Sequence, residues 1–335
     1  MSSRHDLHVD RLAAGLRTSG IGRGDQVLAR LTGVADLAAL VLACRRVGAA
    51  LAVLPAALPD MALTRARAEL APALEVAVDA VTPEVLAARG GDTDPVKAVA
   101  ADAPLIWQGS LAHGNPLVRC TLDLVLAQAR AVADRLRLDA ADHVAIRADA
   151  AHPMAVIAAL AAMMAGASIS DAAGDTGAAA SVLVASGGGD LAEVIGGDLA
   201  EVIGGFNAEL LRLVVTDGTA PQDLHGPAIL TAWTMAEVGG LATLCDPVDP
   251  AETAYSTRGR RMPGVEVMIV DPVTGLDRLL LEPGEVWLRA WPRQGVSARD
   301  RARSNPGNAD GFIRTGQIGM LDAEGRLILE SPSAG

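Results

Sequence analysis

Aromatic side chains are nearly absent from this chain: four Trp, two Phe and one Tyr among 335 residues. A core of that size must therefore be packed from Ala, Leu and Val. Lysine is scarcer still, since Lys97 stands alone and arginine carries almost all the positive charge. A bias toward Ala, Arg, Gly and Val points to a GC-rich genome before it points to a function. Cysteine is limited to Cys44, Cys120 and Cys245, far apart in sequence. With the scattered His5, His8, His113, His143, His152 and His225 they give no zinc-type spacing and no disulfide framework. They read as small buried hydrophobes, and a reducing cytoplasm suits them. Positive charge is in deficit, 28 Lys+Arg against 40 Asp+Glu for a net −12, which argues against nucleic-acid binding through a basic field. Met1 to Asp10 is polar with no apolar run behind it, so no signal peptide is expected. The longest uncharged run, Pro153 to Ser170, is mostly alanine with Gly166 inside it. It reads as a buried helix, a turn and a strand, and not as a membrane span.

Half of the residues are apolar and a fifth are charged, with a mean hydropathy of +0.30, so the chain has the material for a large core. Its length suggests about two domains. Helical spacing over Val9–Leu16, Leu37–Val47, Leu122–Leu136 and Met154–Met164 alternates with short apolar runs at Gln26–Leu31, Ala50–Leu54, His143–Ile146, Ser181–Ala185 and Leu211–Thr216. Such alternation predicts mostly parallel sheets covered by helices. After about residue 250 the texture becomes all-β, with strands expected at Val265–Val270, Gly284–Arg289 and Arg326–Leu329. GGDLAEVI occurs at 188–195 and again at 196–203. The Gly196–Gly197 junction would cost a continuous helix about 2 kcal/mol, so the repeat reads as a tolerated surface duplication.

Four segments near the C-terminus carry the strongest signal: 259–267 (GRRMPGVEV), 283–289 (PGEVWLR), 310–319 (DGFIRTGQIG) and 322–326 (DAEGR). In that order and spacing they resemble the adenylate-forming superfamily of acyl-CoA synthetases, peptide-synthetase adenylation domains and luciferases. Upstream, Val215–Pro221 looks like the family's glycine loop bordering adenine, which implies nucleotide-binding roles for Asp217, Gly218 and Thr219. Residues 232–237 (AWTMAE) look like its aromatic-Gly-Met-Thr-Glu motif, implying that Trp233 stacks on adenine and Glu237 holds magnesium. Ile106–Val118 sits where the family has its phosphate loop, with Ser110 and Gly114 kept. Gln317 falls where an aspartate normally binds the ribose hydroxyls.

The resemblance implies an α/β fold of two flavodoxin-like subdomains plus a small β-rich, distorted-barrel subdomain, with the ligand crevice where the three meet. The portions are expected at 1–105, 106–250 and 251–335, the last ending at the family's hinge, without the lid domain. ATP or AMP, magnesium, and CoA or phosphopantetheine are the implied cofactors. An acyl or nucleotide ligand, an acyl carrier protein or a full-length ligase are the implied partners.

Several family groups are replaced. Leu111, Ala112 and His113 stand where Gly-Thr-Thr is expected, Leu117 where the loop lysine belongs, Thr234 at the motif glycine and Ala236 at the motif threonine. No lysine follows Lys97 to take the place of the lid's catalytic lysine. One preorganised donor at such a site is worth about 3–4 kcal/mol of barrier, so the expectation is a degenerate member that binds ligand without efficient adenylation. The alternatives are a working ligase or acyl transferase with its lid supplied in trans, and a non-catalytic interaction protein.

Plainer readings compete at several positions. Trp233 also fits a core position, Glu237 a loop cap, and His113 an ordinary surface histidine. The run 181–192 (SVLVASGGGDLA) reads as strand, G-x-G-x-x-A, helix, the dinucleotide-binding arrangement, but Asp190 would oppose a pyrophosphate. Arginines 289, 293, 299, 301 and 303 form a basic stretch suited to a solvated loop or to an anionic partner such as a carrier protein or CoA.

Overall fold

The computed structural model describes residues 4–91, 103–108, 117–171, 179–186, 206–207, 209–218, 227–290, 295–296 and 311–330. Ser110, His113, Gly114, Thr219, the 187–192 glycine run, the duplication at 188–203 and arginines 293, 299, 301 and 303 lie outside these residues.

The first α/β unit runs α1 (Arg4–Thr18), β1 (Gln26–Arg30), α2 (Val34–Val47), β2 (Ala50–Val53), α3 (Asp60–Leu70), β3 (Leu74–Ala77), α4 (Pro83–Gly90), β4 (Pro104–Gln108) and β5 (Leu117–Thr121). The second comprises α5 (Leu122–Leu136), β6 (His143–Arg147), α6 (Pro153–Ala165), β7 (Ser168–Asp171), β8 (Val182–Ala185), β9 (Leu213–Thr216), β10 (Ala228–Met235), a 3-10 turn (Ala236–Val238) and β11 (Gly240–Leu244). Then come α7 (Ala251–Ser256), β12 (Arg260–Arg261), β13 (Val265–Val270), β14 (Gly284–Ala290), β15 (Gly295–Val296), β16 (Ile313–Leu321) and β17 (Leu327–Leu329). The helices and strands expected from periodicity are present.

The strands form three sheets. The first has order β15-β5-β4-β2-β1-β3, parallel from β4 to β3 and antiparallel at β5 and β15. Its strand β4 crosses the division expected at residue 105, and β5 lies beyond it. The second has order β12-β11-β10-β9-β8-β6-β7 and is parallel from β10 to β7. The third, β13-β14-β16-β17, is wholly antiparallel. Parallel strands with apolar residues on both faces need cover on both, and here one helical layer serves two sheets. Val27 and Val53 of the first sheet and Val144 and Val184 of the second share a single core with α2, α5 and α6. The opposite face of the first sheet, at Leu28, Ala52 and Ile106, is covered by Leu63, Ala66 and Leu70 of α3.

Helix α6 occupies the middle of that layer. Pro153 opens it, His152 caps its N-terminus, Gly166 ends it in the left-handed region at φ 76°, and Pro153 to Ala162 are all buried. It is apolar on every side because it has neighbours on every side. No helix among the described residues is long and apolar enough to cross a membrane. The three cysteines are buried and unpaired, as small hydrophobes should be.

The two α/β units are also tied by a cap. Gly33 gives α2 no side-chain acceptor, and Asp171 at the end of β7 fills the gap, accepting the Val34 N–H on Oδ1 at 3.0 Å. Replacing an N-terminal acceptor by alanine typically costs about 1 kcal/mol. Asp171→Ala is therefore expected to lower unfolding free energy by about that amount, while Asp171→Asn, which keeps an acceptor, retains most of the stability. Denaturant midpoints of the two variants check this.

Candidate functional site

In open α/β sheets, ligands bind beyond the carboxyl ends of the parallel strands. At that end of the second sheet Ser186 follows β8, Asp217 follows β9, Thr234 lies near the end of β10, and His152 caps α6 after β6. One carboxylate oxygen joins all four. Asp217 Oδ2 accepts the Ser186 hydroxyl at 2.7 Å and the Thr234 hydroxyl at 3.1 Å, and lies 3.4 Å from His152 Nε2. A break in the β10–β11 register between Trp233 and Thr234 lets a side chain at 234 turn toward the neighbouring strand end. Behind Asp217, Gly218 donates its N–H to Thr216 Oγ1 at 3.0 Å, and its carbonyl accepts from Arg258 at 2.7 Å. Burial lowers the Arg258 pKa, and the Asp217 charge partly restores it.

Serine, histidine and aspartate in contact invite comparison with a nucleophile, base and orienting acid, but the proton directions oppose it. His152 Nδ1 accepts the Met154 N–H at 3.3 Å, which assigns the ring proton to Nε2, facing Asp217. The Ser186 hydroxyl, within 2.9 Å of the same Nδ1, gives its proton to Asp217. The hydroxyl therefore hydrogen-bonds to the carboxylate and is not oriented as a nucleophile by the imidazole, and Ser186 is 1 % exposed. The cluster braces four chain segments.

The 3-10 turn after β10 is the meeting point of the three sheets, touching β5 of the first and β14 of the third. Its shape depends on Gly239 and Gly240, both at positive φ; a Cβ there would meet Leu124 Cδ2 at 2.7 Å and Ile157 Cδ1 at 2.8 Å respectively. Buried Gln128 of α5 fastens the turn, donating to the Val238 carbonyl and accepting the Leu241 N–H. Ala236 and Glu237 are buried here, Glu237 at 3 % exposure, and the Ala236 carbonyl accepts the Cys120 thiol at 3.4 Å.

Asp217, Gly218 and Thr234 thus come together, with Trp233 next in chain and Glu237 three residues beyond Thr234. Trp233 is half-buried and packs against the shared core, so the plainer reading of it holds for part of its surface. Gln317 lies exposed on β16, its N–H donating to Thr315 Oγ1 at 3.1 Å, and no hydrogen bond joins it to the others among the described residues. Arg289, the described member of the basic stretch, pairs with Glu266 at 2.5 Å and stacks on Phe312 at 4.3 Å. Periodicity and motifs did not single out His152, Ser186 or Arg258 as site residues. Ser186 directly follows β8, His152 directly precedes α6 and Arg258 lies two residues past α7, places that no local motif marks.

No group of three or more His, Cys, Asp or Glu side chains that could hold a metal occurs among the described residues. Magnesium is commonly held by one or two carboxylates together with phosphate oxygens and water, and the carboxylate nearest the turn, Glu237, is buried.

Burial pushes the His152 imidazole below its ordinary 6.5, outweighing the upward pull of Asp217 and Asp149. The unfolded chain therefore binds this proton more readily than the folded one, and stability falls as pH drops below about 6.5. Melting temperature is expected to rise between pH 5 and pH 7, and His152→Asn to flatten that rise. Asp217→Ala, which strands two hydroxyls, is expected to cost about 1–3 kcal/mol in a denaturant titration at pH 7.

No protein-family profile matches the chain. A methyl-dioxo-octahydro-indenyl-propanoyl:CoA ligase of Mycobacterium tuberculosis is 35 % identical over 101 residues, 30 % of this chain and 18 % of that protein. The peroxisomal OPC-8:0-CoA ligase 1 of Arabidopsis thaliana is 29 % identical over 116 residues, 34 % of this chain and 21 % of that protein. The matched segments thus span about a fifth of those relatives. Among solved structures, the inhibitor-bound N-terminal domain of FACL13 from M. tuberculosis superposes with a TM-score of 0.78 at 18 % identity, covering 98 % of this chain and 91 % of that one. ATP-bound MatB from Rhodopseudomonas palustris gives 0.76 at 20 % identity, covering 97 % of this chain and 72 % of that one. At such identities the structural likeness is one of fold. The chain thus has the fold of the large domains of these ligases, and over the matched segments its sequence is similar to CoA ligases.

Proposed function

We propose that the chain is an AMP-binding, acyl-CoA-ligase-like large domain that holds a nucleotide or an acyl ligand without efficient ATP-dependent adenylation of its own. The observation that carries this reading is Ala236. It occupies the position of the family's phosphate-directed threonine, beside Glu237, and packs its methyl group into the core where the sheets meet. Phosphoryl chemistry relies on donors and positive charge around the phosphates. A methyl at 236 and an isobutyl group at Leu117 provide neither.

In this reading Trp233 offers its ring to adenine, Asp217, Gly218 and Thr219 border the base, Gln317 bonds the ribose, and Ser110 and Gly114 lie beside the phosphates. Glu237 is the carboxylate that would hold magnesium, a cation that neutralises phosphate charge when bound. Arg258 contributes fixed positive charge behind the Asp217 loop. A CoA or carrier-protein ligase completed by a lid from another polypeptide is the second reading. It is favoured by the retained Glu237 and by that half-buried arginine.

Pyrophosphate exchange with a panel of fatty and aromatic acids separates the two. The purified chain is expected to show exchange near background, and robust exchange by the chain alone would remove the first reading. Glu237→Gln is expected to abolish any magnesium dependence of nucleotide binding in a calorimetric titration, and unchanged dependence would take the metal role from this residue.

A further inference from the structure

Beside α3, on the outer face of the first sheet, lies a half-open cavity of about 490 Å³. Helix α3 covers the middle of this face, but its first turns leave open the part next to β4 and β5. Leu54, Leu58, Ala62, Ala66 and Leu117 make the apolar wall, and Met61, 85 % exposed, stands at the mouth. Gln108 and Leu117 are directly paired across β4 and β5, and both line the cavity. The volume lies within the range of small-ligand pockets, roughly 300–1,000 Å³.

The polar groups decide what kind of ligand fits. Glu69, on α3, lines the cavity with its Oε1 buried and without a hydrogen-bond partner among the described residues. A buried acceptor left unbonded is costly, and charged ones more so. A ligand that brings an N–H or O–H donor to this oxygen removes the penalty. The net charge of −12 favours a cation over an anion at long range. Arg65, one turn earlier on the exposed side of α3, also lines the mouth.

We propose that this cavity binds a small amphiphile, an apolar chain carrying an ammonium head group, with the chain along Leu54, Leu58 and Leu117 and the head on Glu69 Oε1. It is separate from the strand-end cluster and independent of nucleotide binding.

The test is calorimetric titration of the full chain with octylamine, octanol and octanoate, each below its micellar concentration. Octylamine is expected to bind most tightly, by about tenfold over octanoate, the value of one charge-assisted hydrogen bond. Glu69→Gln should remove most of that preference. Ala62→Trp, at an exposed helix position, should fill the groove and abolish binding of all three while leaving the melting temperature in place. Octanoate binding as tightly as octylamine, no binding by octylamine, or octylamine binding unchanged in Ala62→Trp would each overturn the proposal. AMP titrations of the same two variants should match the unmodified chain, which keeps this result distinct from the nucleotide reading.

Discussion

The structure depends on the burial of α6. A helix whose first ten residues, Pro153 to Ala162, are all inaccessible has to be enclosed, and enclosing it brings α2, α5 and both large sheets into one core. A chain with seven aromatic residues can do this because alanine lets backbones approach closely, so that small contacts replace a few large ones. The same constraint reaches the crevice. The residue that caps this helix is His152, and its ring is held against Ser186 and Asp217. Gly240, a few residues beyond the adenylate-family motif, has no room for a side chain because Pro153 and Ile157 of α6 are already there. Core packing and site geometry are therefore two ends of one arrangement.

At the strand ends, one buried carboxylate organises the crevice. Asp217 accepts hydrogen bonds from two hydroxyls and faces the Nε2 of His152, in surroundings where a charge without such partners would be very unfavourable. Thr234 is part of this bonding set, and it stands where the family motif has glycine. The threonine and the aspartate are thus joined in a single local solution. The Ser-His-Asp composition is that of a hydrolytic triad, but the hydrogen-bond directions make the cluster a brace.

Much of the fold was legible in the sequence because its strands are short apolar runs between helices of clear period. Val144–Ile146 and Leu213–Thr216 need cover on both faces, and only a helix-covered parallel sheet gives it. The placement of β15 against β5 was not legible, since a two-residue strand carries no periodicity of its own. The same limit applies to the site. Asp217, Gly218, Trp233 and Glu237 were singled out by the family resemblance of the segments that hold them. Ser186 and His152 did not, because they meet Asp217 across 31 and about 65 positions of chain, through a strand order no local pattern encodes. Asp171 capping α2 from 137 positions away is the same kind of contact.

In the function proposed above, Trp233 is the platform for an adenine ring at the crevice of the second sheet. Calorimetric titration with AMP, comparing the chain with Trp233→Ala, tests this most directly. The account predicts saturable binding with one AMP per chain and a loss of about tenfold in affinity for the variant, the scale of one base–aromatic stack. Absence of AMP binding, or equal affinity in the variant, would contradict it.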